Sequence, residues 1–427
     1  MLHDPAAHAL YDEICSIPLI DPHSHINPHR AAARSLDDIL GYHYYTELAH
    51  SAGMDKAPLA ADADPRERVR AILTYADRFD NTVQFSWFLE IARAFLGYEG
   101  ERLTAADTDW LISAADKAMA RPNWEAEVQR RSNVEKIFLT NDFDDPLEGF
   151  DTNRYVPCLR VDDLMFGLKS QKEAWQRLER ATGFDGRGGL KGLAQAIAKL
   201  FERFTKKGAR ACAVSLPPDF VPEFSSSEAA INKMARTFKP GPSSDVTRTI
   251  SSAVFAMVLE LCRDFKLPID LMIGVNRRVY REGVYQGQDL FDQRTSLIEY
   301  AELFNAFPDV TFSISVLSSG QNQELVSYSW IFPNVVTNGH WWYSNVPAYI
   351  ESDLRARLQA VPKTKQIGYY SDAYKLEFVL PKFNTYRRIL ARVLLDDFVR
   401  PRVYTEQQAV EVARLLLRDN ARRILGV

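Results

Sequence analysis

Short apolar runs recur along this chain, and amphipathic stretches separate most of them. Eight stand out: residues 18–23, Val134–Thr140, Tyr155–Arg160, Ala211–Leu216, Ile269–Val275, Val310–Leu317, Asn334–Asn338 and Gln366–Ser371. Runs of this length and composition are strand candidates. Leu190–Phe204 and Ser251–Phe265 are two of the amphipathic segments between them. Strand–helix alternation calls for parallel strands joined by crossover helices. Eight such units predict an α/β protein built as a closed (β/α)8 TIM barrel, an architecture of about 250 residues before insertions.

The chain has 427 residues, so the barrel leaves a surplus. Residues 30–129 hold no strand-like run, and they carry Phe85, Trp87, Phe88 and Phe95 on helical spacing. This predicts a helical insertion after the first strand. The barrel then comprises 1–29 and 130–427, and 30–129 is an insertion subdomain that contributes to the active site, with its aromatics in the core. A second irregular stretch, Val221–Val246, is rich in serine and in the Lys239–Ser244 proline–glycine cluster. It reads as an exposed excursion after the fourth strand.

A formal charge of −4 argues against a nucleic-acid or membrane-surface partner. No run of about 18 apolar residues is present to span a bilayer. The N-terminus lacks the basic and apolar segments of a secretory signal. Cys15, Cys158, Cys212 and Cys262 are far apart and form no Cys-x-x-Cys pair. They read as reduced core thiols of a cytoplasmic protein. The partner expected is therefore a small molecule, and the long insertion leaves room for a homo-oligomer.

In a (β/α)8 barrel the chemistry sits at the carboxyl ends of the strands. His23 and His25 follow the first run, and residues two apart on an extended segment share a face. The pair reads either as two ligands of a divalent metal or as two polar loop residues. Asp142, Asp144 and Asp145 follow the second run, with Asp142 nearest the strand end. Arg160 ends the third, Arg277 follows the fifth, and Gly339–Asn345 follows the seventh. Asp372 closes the eighth, which neighbours the first once a barrel closes. His3, His8 and His50 read as surface residues, and His29 as a loop histidine.

The segments Asp21–Pro28, Tyr42–Tyr44, Gly339–Asn345, Gly368–Tyr374 and Tyr386–Leu390 together resemble the uronate (glucuronate) isomerase branch of the amidohydrolase superfamily. The Trp341–Asn345 and Tyr386–Leu390 strings are the specific ones. The resemblance implies a metal-dependent aldose–ketose isomerase acting on a hexuronate or related sugar acid through an enediol. It implies a divalent metal, zinc or manganese, held by His23, His25 and Asp372. Asp372 would also serve as base, with His43 and Tyr44 as acid or proton relay. Arg160 or Arg277 would fork onto the substrate carboxylate. Trp341 and Trp342 would wall the sugar, and Asp142 and Tyr374 would complete the substrate site.

Several positions depart from the family's pattern. Met272 stands where a strand-five histidine is typical. Ser215–Asp219 replaces an Asp-His pair at the end of strand four, and Tyr374 replaces an arginine. His340 is gained. It reads either as a replacement for coordination or acid–base capacity, or as a packed core histidine. These departures keep a second reading open, a hydrolase or decarboxylase of the same superfamily acting on another small carboxylated substrate.

Overall fold

The computed structural model of the chain describes residues 4–60, 62–168, 172–223 and 244–427. Its strands are β1 (Leu19–Asp21), β2 (Val134–Phe138), β3 (Asn141–Asp142), β4 (Tyr155–Val156), β5 (Cys158–Arg160) and β6 (Ala211–Leu216). They continue as β7 (Ile269–Ile273), β8 (Val275–Asn276), β9 (Leu290–Phe291), β10 (Phe312–Val316), β11 (Val335–Asn338) and β12 (Gln366–Ile367). Each of the eight apolar runs contains strand. The third is split at Pro157, which has no N–H to give to a ladder. The first is shorter than expected, so His23 and His25 lie on the extended segment beyond β1.

The architecture is mixed α/β with parallel sheets. One sheet has the order β1-β2-β4 and a second the order β12-β11-β10-β7-β6-β5-β3. All pairings in both are parallel. An antiparallel pair, β8-β9, was not expected from the sequence. Past the strand ends the first and last segments remain hydrogen-bonded: Asp372 N donates to His23 O (3.1 Å) and His25 N to Ala373 O (2.8 Å).

Period-2 alternation sorts the strand side chains into two layers. Ile269, Leu271 and Ile273 of β7 and Phe312, Ile314 and Val316 of β10 pack outward with the helices Gly189–Lys206 and Ser244–Phe265. The other face holds Ile20, Phe138, Val156, Cys158, Ala213, Val336 and Ile367 in a small shared cluster. Polar residues of this face, such as Asp270 and Ser315, stay buried.

Between β1 and β2 the described residues are helical or irregular. Helices span His43–Ser51, Pro65–Thr74, Val83–Ile91, Thr108–Met119 and Trp124–Ser132. Local chemistry sets their starts: Asp64 caps Arg66 N and Glu67 N ahead of Pro65, and Thr82 caps Phe85 N. Phe85, Trp87, Phe88 and Phe95 are buried, in one core with the helix Val379–Leu394. Trp87 Nε1 donates to Thr385 Oγ1 (3.2 Å) on that helix. Most of the expected excursion at Val221–Val246 lies outside the described residues. No described helix is long and apolar enough to cross a membrane.

Candidate active site

The segment after β1 carries His23 and His25, and the segment after β12 carries Asp372. His25 Nε2 lies 3.3 Å from Asp372 Oδ1, and His23 Nε2 lies 3.6 Å from the same oxygen. One donor atom from each residue falls within 4.8 Å of the others. His23 Nε2 and Asp372 Oδ1 are buried and have no hydrogen-bond partner among the described residues. Burial without a partner is costly for such atoms and marks a place for an ion or water.

The far nitrogens of both rings are occupied. His23 Nδ1 meets Asp270 Oδ2 at 3.1 Å, and Asn338 Nδ2 donates to the other Asp270 oxygen at 2.9 Å. His25 Nδ1 meets Thr140 Oγ1 at 2.8 Å, and that hydroxyl donates to Ser24 O. An ionised carboxylate only accepts, and the Thr140 proton is already committed. Each Nδ1 therefore carries the hydrogen, and each Nε2 presents a lone pair to the centre. The donor set fits a divalent cation.

A cavity of about 170 Å³ opens over this centre. Its floor is His25 and Asp372, with Tyr374 stacked on the His25 ring at 5.0 Å. The insertion contributes His43 and Tyr44, the end of β5 gives Arg160, and the segment after β11 gives Trp341 and Trp342. The β8–β9 excursion supplies Arg277, Gln286 and Asp289. His43 Nδ1 pairs with Glu47 Oε1 (2.7 Å), which leaves Nε2 as the ring nitrogen without that partner. Tyr44 OH donates to Asp372 Oδ2 (3.4 Å). Arg160 pairs with Asp162 (3.1 Å), and Arg277 with Asp289 (2.7 Å) and Ser215 Oγ (3.2 Å). Met272 faces a smaller hollow beneath, beside His23, His25 and Trp341.

Three of the sequence-predicted residues do not line this cavity: His23, which borders the smaller hollow beneath, His340 and Asp142. His340 is 1% exposed and turned away. Asn338 points inward to Asp270, Gly339 turns with φ +46°, and the His340 ring then packs near Tyr369 and Tyr386 (6.4 and 5.9 Å). It does not replace the strand-five group. Burial and the neighbouring Arg357 guanidinium push its pKa well below the usual histidine value. Asp142 is 60% exposed along its side chain, 3.4 Å from Arg177, on the rim of an adjoining groove.

The sequence reading passed over Asp270, Thr140, Glu47, Gln286 and Asp289. Asp270 carried a signal, being the one charge inside the apolar run Ile269–Val275. Gln286 and Asp289 carried none, because their excursion has no periodicity.

Parallel strands whose following segments bring His23, His25 and Asp372 together, beneath a cavity faced by Arg160 and Arg277, define an α/β enzyme. The glucuronate isomerase family model matches residues 1–423, and the chain belongs to that family. The uronate isomerase of Corynebacterium efficiens is 23% identical over 475 residues, covering 99% of this chain and 96% of that protein. Among solved structures, the uronate isomerase of Thermotoga maritima superposes with a TM-score of 0.90 at 18% identity, covering 99% of this chain and 98% of that one. The glucuronate isomerase of Caulobacter crescentus gives 0.89 at 18% identity, covering 99% and 95%.

Proposed function

We propose that this protein interconverts a hexuronate aldose and its ketose, of the glucuronate–fructuronate type, by moving a proton between adjacent carbons. The observation that carries this reading is the convergence of the His25–Asp372 centre with Arg160 and Arg277 in a single cavity. A sugar acid needs both a group for its reacting oxygens and a cation for its carboxylate.

His23, His25 and Asp372 would hold a divalent cation, zinc or manganese, supplying Lewis-acid polarisation of the substrate oxygens. Arg160 or Arg277 forks onto the carboxylate, because a planar guanidinium matches it in bidentate fashion. Trp341 and Trp342 wall the sugar and exclude water. Asp372 takes the proton from the carbon. His43, oriented by Glu47, and Tyr44 exchange a proton with the oxygen through Nε2 and the phenol hydroxyl. Tyr374, stacked on His25, closes the side toward the adjoining groove where Asp142 sits.

In this reading the strands close into a (β/α)8 barrel, with residues 30–129 as a helical subdomain over its mouth. Support comes from the shared inner cluster that draws on β1, β2, β4, β5, β6, β11 and β12, and from the hydrogen bonds between the segments after β1 and β12. The described cysteines are free thiols, in keeping with a reducing, cytoplasmic compartment.

The test is an NMR assay of metal-replete protein with glucuronate and with galacturonate in deuterated water. Ketose carrying deuterium at the transferred position is the expected result. Bound metal without ketose from either sugar would overturn the isomerase reading and favour hydrolysis or decarboxylation of another carboxylated substrate.

A further inference from the structure

Lys382 is a fully buried lysine on the helix Val379–Leu394. No carboxylate among the described residues lies within ion-pair distance of it. Its ammonium instead sits in a cage of three rings, 4.8 Å from Trp87, 5.4 Å from Tyr44 and 5.9 Å from Tyr42. Nζ donates one hydrogen bond, to Ser371 O at 2.7 Å. A buried ammonium is expensive, and the cation–π contacts offset part of that cost. Such a residue calls for a reason.

That reason lies one residue on, at Asp372. Its φ is +51°, a left-handed conformation that is strained for a residue with a side chain. The peptide plane before it is held at both edges: Ser371 O accepts from Lys382, and Asp372 N donates to His23 O at 3.1 Å. The plane after it is held by Tyr42 OH, which donates to Asp372 O at 3.4 Å. Ser371 itself is anchored below, its N on Asp21 Oδ1 (2.8 Å) and its hydroxyl on Asp21 Oδ2. Fixing both planes fixes the Cα–Cβ direction, and hence where the carboxylate points. Tyr42 and Tyr44, whose hydroxyls reach Asp372, are two of the three cage rings.

We propose that Lys382 is a positioning residue: its caged ammonium locks the left-handed turn at Asp372 and so aims that carboxylate at the His23–His25 pair. The inference rests on reading those three residues as a metal-holding set. It adds that the insertion and the last β–α connection set the aim together, through one buried cation that touches neither substrate nor metal.

Zinc and manganese affinity, measured by competition with a chromogenic chelator, tests this apart from turnover. Lys382→Met keeps an unbranched side chain of nearly the same reach and removes the charge and the donor. It is expected to weaken affinity tenfold or more. Leu390→Ala, a buried apolar truncation on the same helix, is expected to lower Tm and leave affinity within twofold. Lys382→Arg, which keeps a cation in the cage, should recover part of the loss. Wild-type affinity in folded Lys382→Met would overturn the proposal. Should that variant not fold, Tyr42→Phe retains the ring and removes the hydroxyl on Asp372 O, and unchanged affinity there would also overturn it. Wild-type protein that takes up neither metal would instead sink the metal-site reading beneath it.

Discussion

At the centre each imidazole is a donor on one side and a lone pair on the other, and the residue behind it decides which. Asp270 and Thr140 set that choice for His23 and His25. His23→Ala and Asp372→Asn should each abolish stoichiometric metal uptake, as read by elemental analysis after dialysis. Asp270→Asn should weaken affinity about 10- to 100-fold, the usual cost of losing an outer-shell partner. His340 makes a different prediction. Above pH 6.5 its ring is neutral in both folded and unfolded chains. Below that, the unfolded chain gains a proton that the buried ring, beside Arg357, resists. Stability should therefore fall with pH by up to about 1.4 kcal/mol per unit from this residue. Urea unfolding at pH 7.5, 6 and 5 should show a shallower decline for His340→Phe, and equal slopes would mean the native ring protonates. His23, His25 and Asp372 were legible because strand ends announce themselves in sequence. For His340 the sequence left a packed core ring and a site role both open, since the choice depends on the left-handed turn at Gly339 that sends the ring to the other face.

The excursion bearing β8 and β9 is built unlike the parallel strands beside it. Tyr285 is 73% exposed and Val279, Tyr280, Leu290 and Phe291 are also exposed, yet Arg277, Gln286 and Asp289 from the same segment reach the cavity. Its ties to the rest include Arg277 on Ser215 Oγ (3.2 Å), His50 stacked on Tyr280 (6.1 Å), Lys56 on Glu282 (3.2 Å), Phe291 against Tyr343 (6.0 Å) and Tyr343 OH on Asp289 O (2.7 Å), with Val284 buried in the main core. Little buried apolar contact means low local opening energy. Amides of 278–288 should exchange with deuterium far faster than those of β6, β7 and β10, and a bound uronate should slow them. Mass-spectrometric exchange with and without glucuronate checks this. The strands themselves were readable because apolar runs of fixed length punctuated by helix are hard to imitate. The excursion was not, because its position depends on contacts with a helical segment more than 200 residues earlier.

Across the whole molecule, the centre joins the first strand's segment to the last one's. A ligand that binds only the folded chain stabilises it by RT ln(1 + [L]/Kd), about 2.7 kcal/mol at a hundredfold excess over Kd. A chelator should therefore lower the Tm of the metal-loaded protein, and zinc should restore it. His23→Ala should show no such metal-dependent increment. Scanning calorimetry of both proteins, with and without chelator, decides the point. The alternation of strands and helices and the helical character of 30–129 were plain in the residues. The way those helices share a core with Val379–Leu394 was not, because that core is made of pairings across most of the chain's length.

The joining of first and last segments also has a consequence for how the protein is made. His23 and His25 are synthesised long before Asp372 and Lys382. Until then no nascent chain can present all three donors, and loop closure over so long a span is slow. The centre therefore cannot form before Asp372 has been made. Any fragment released before Asp372 stays without the full donor set.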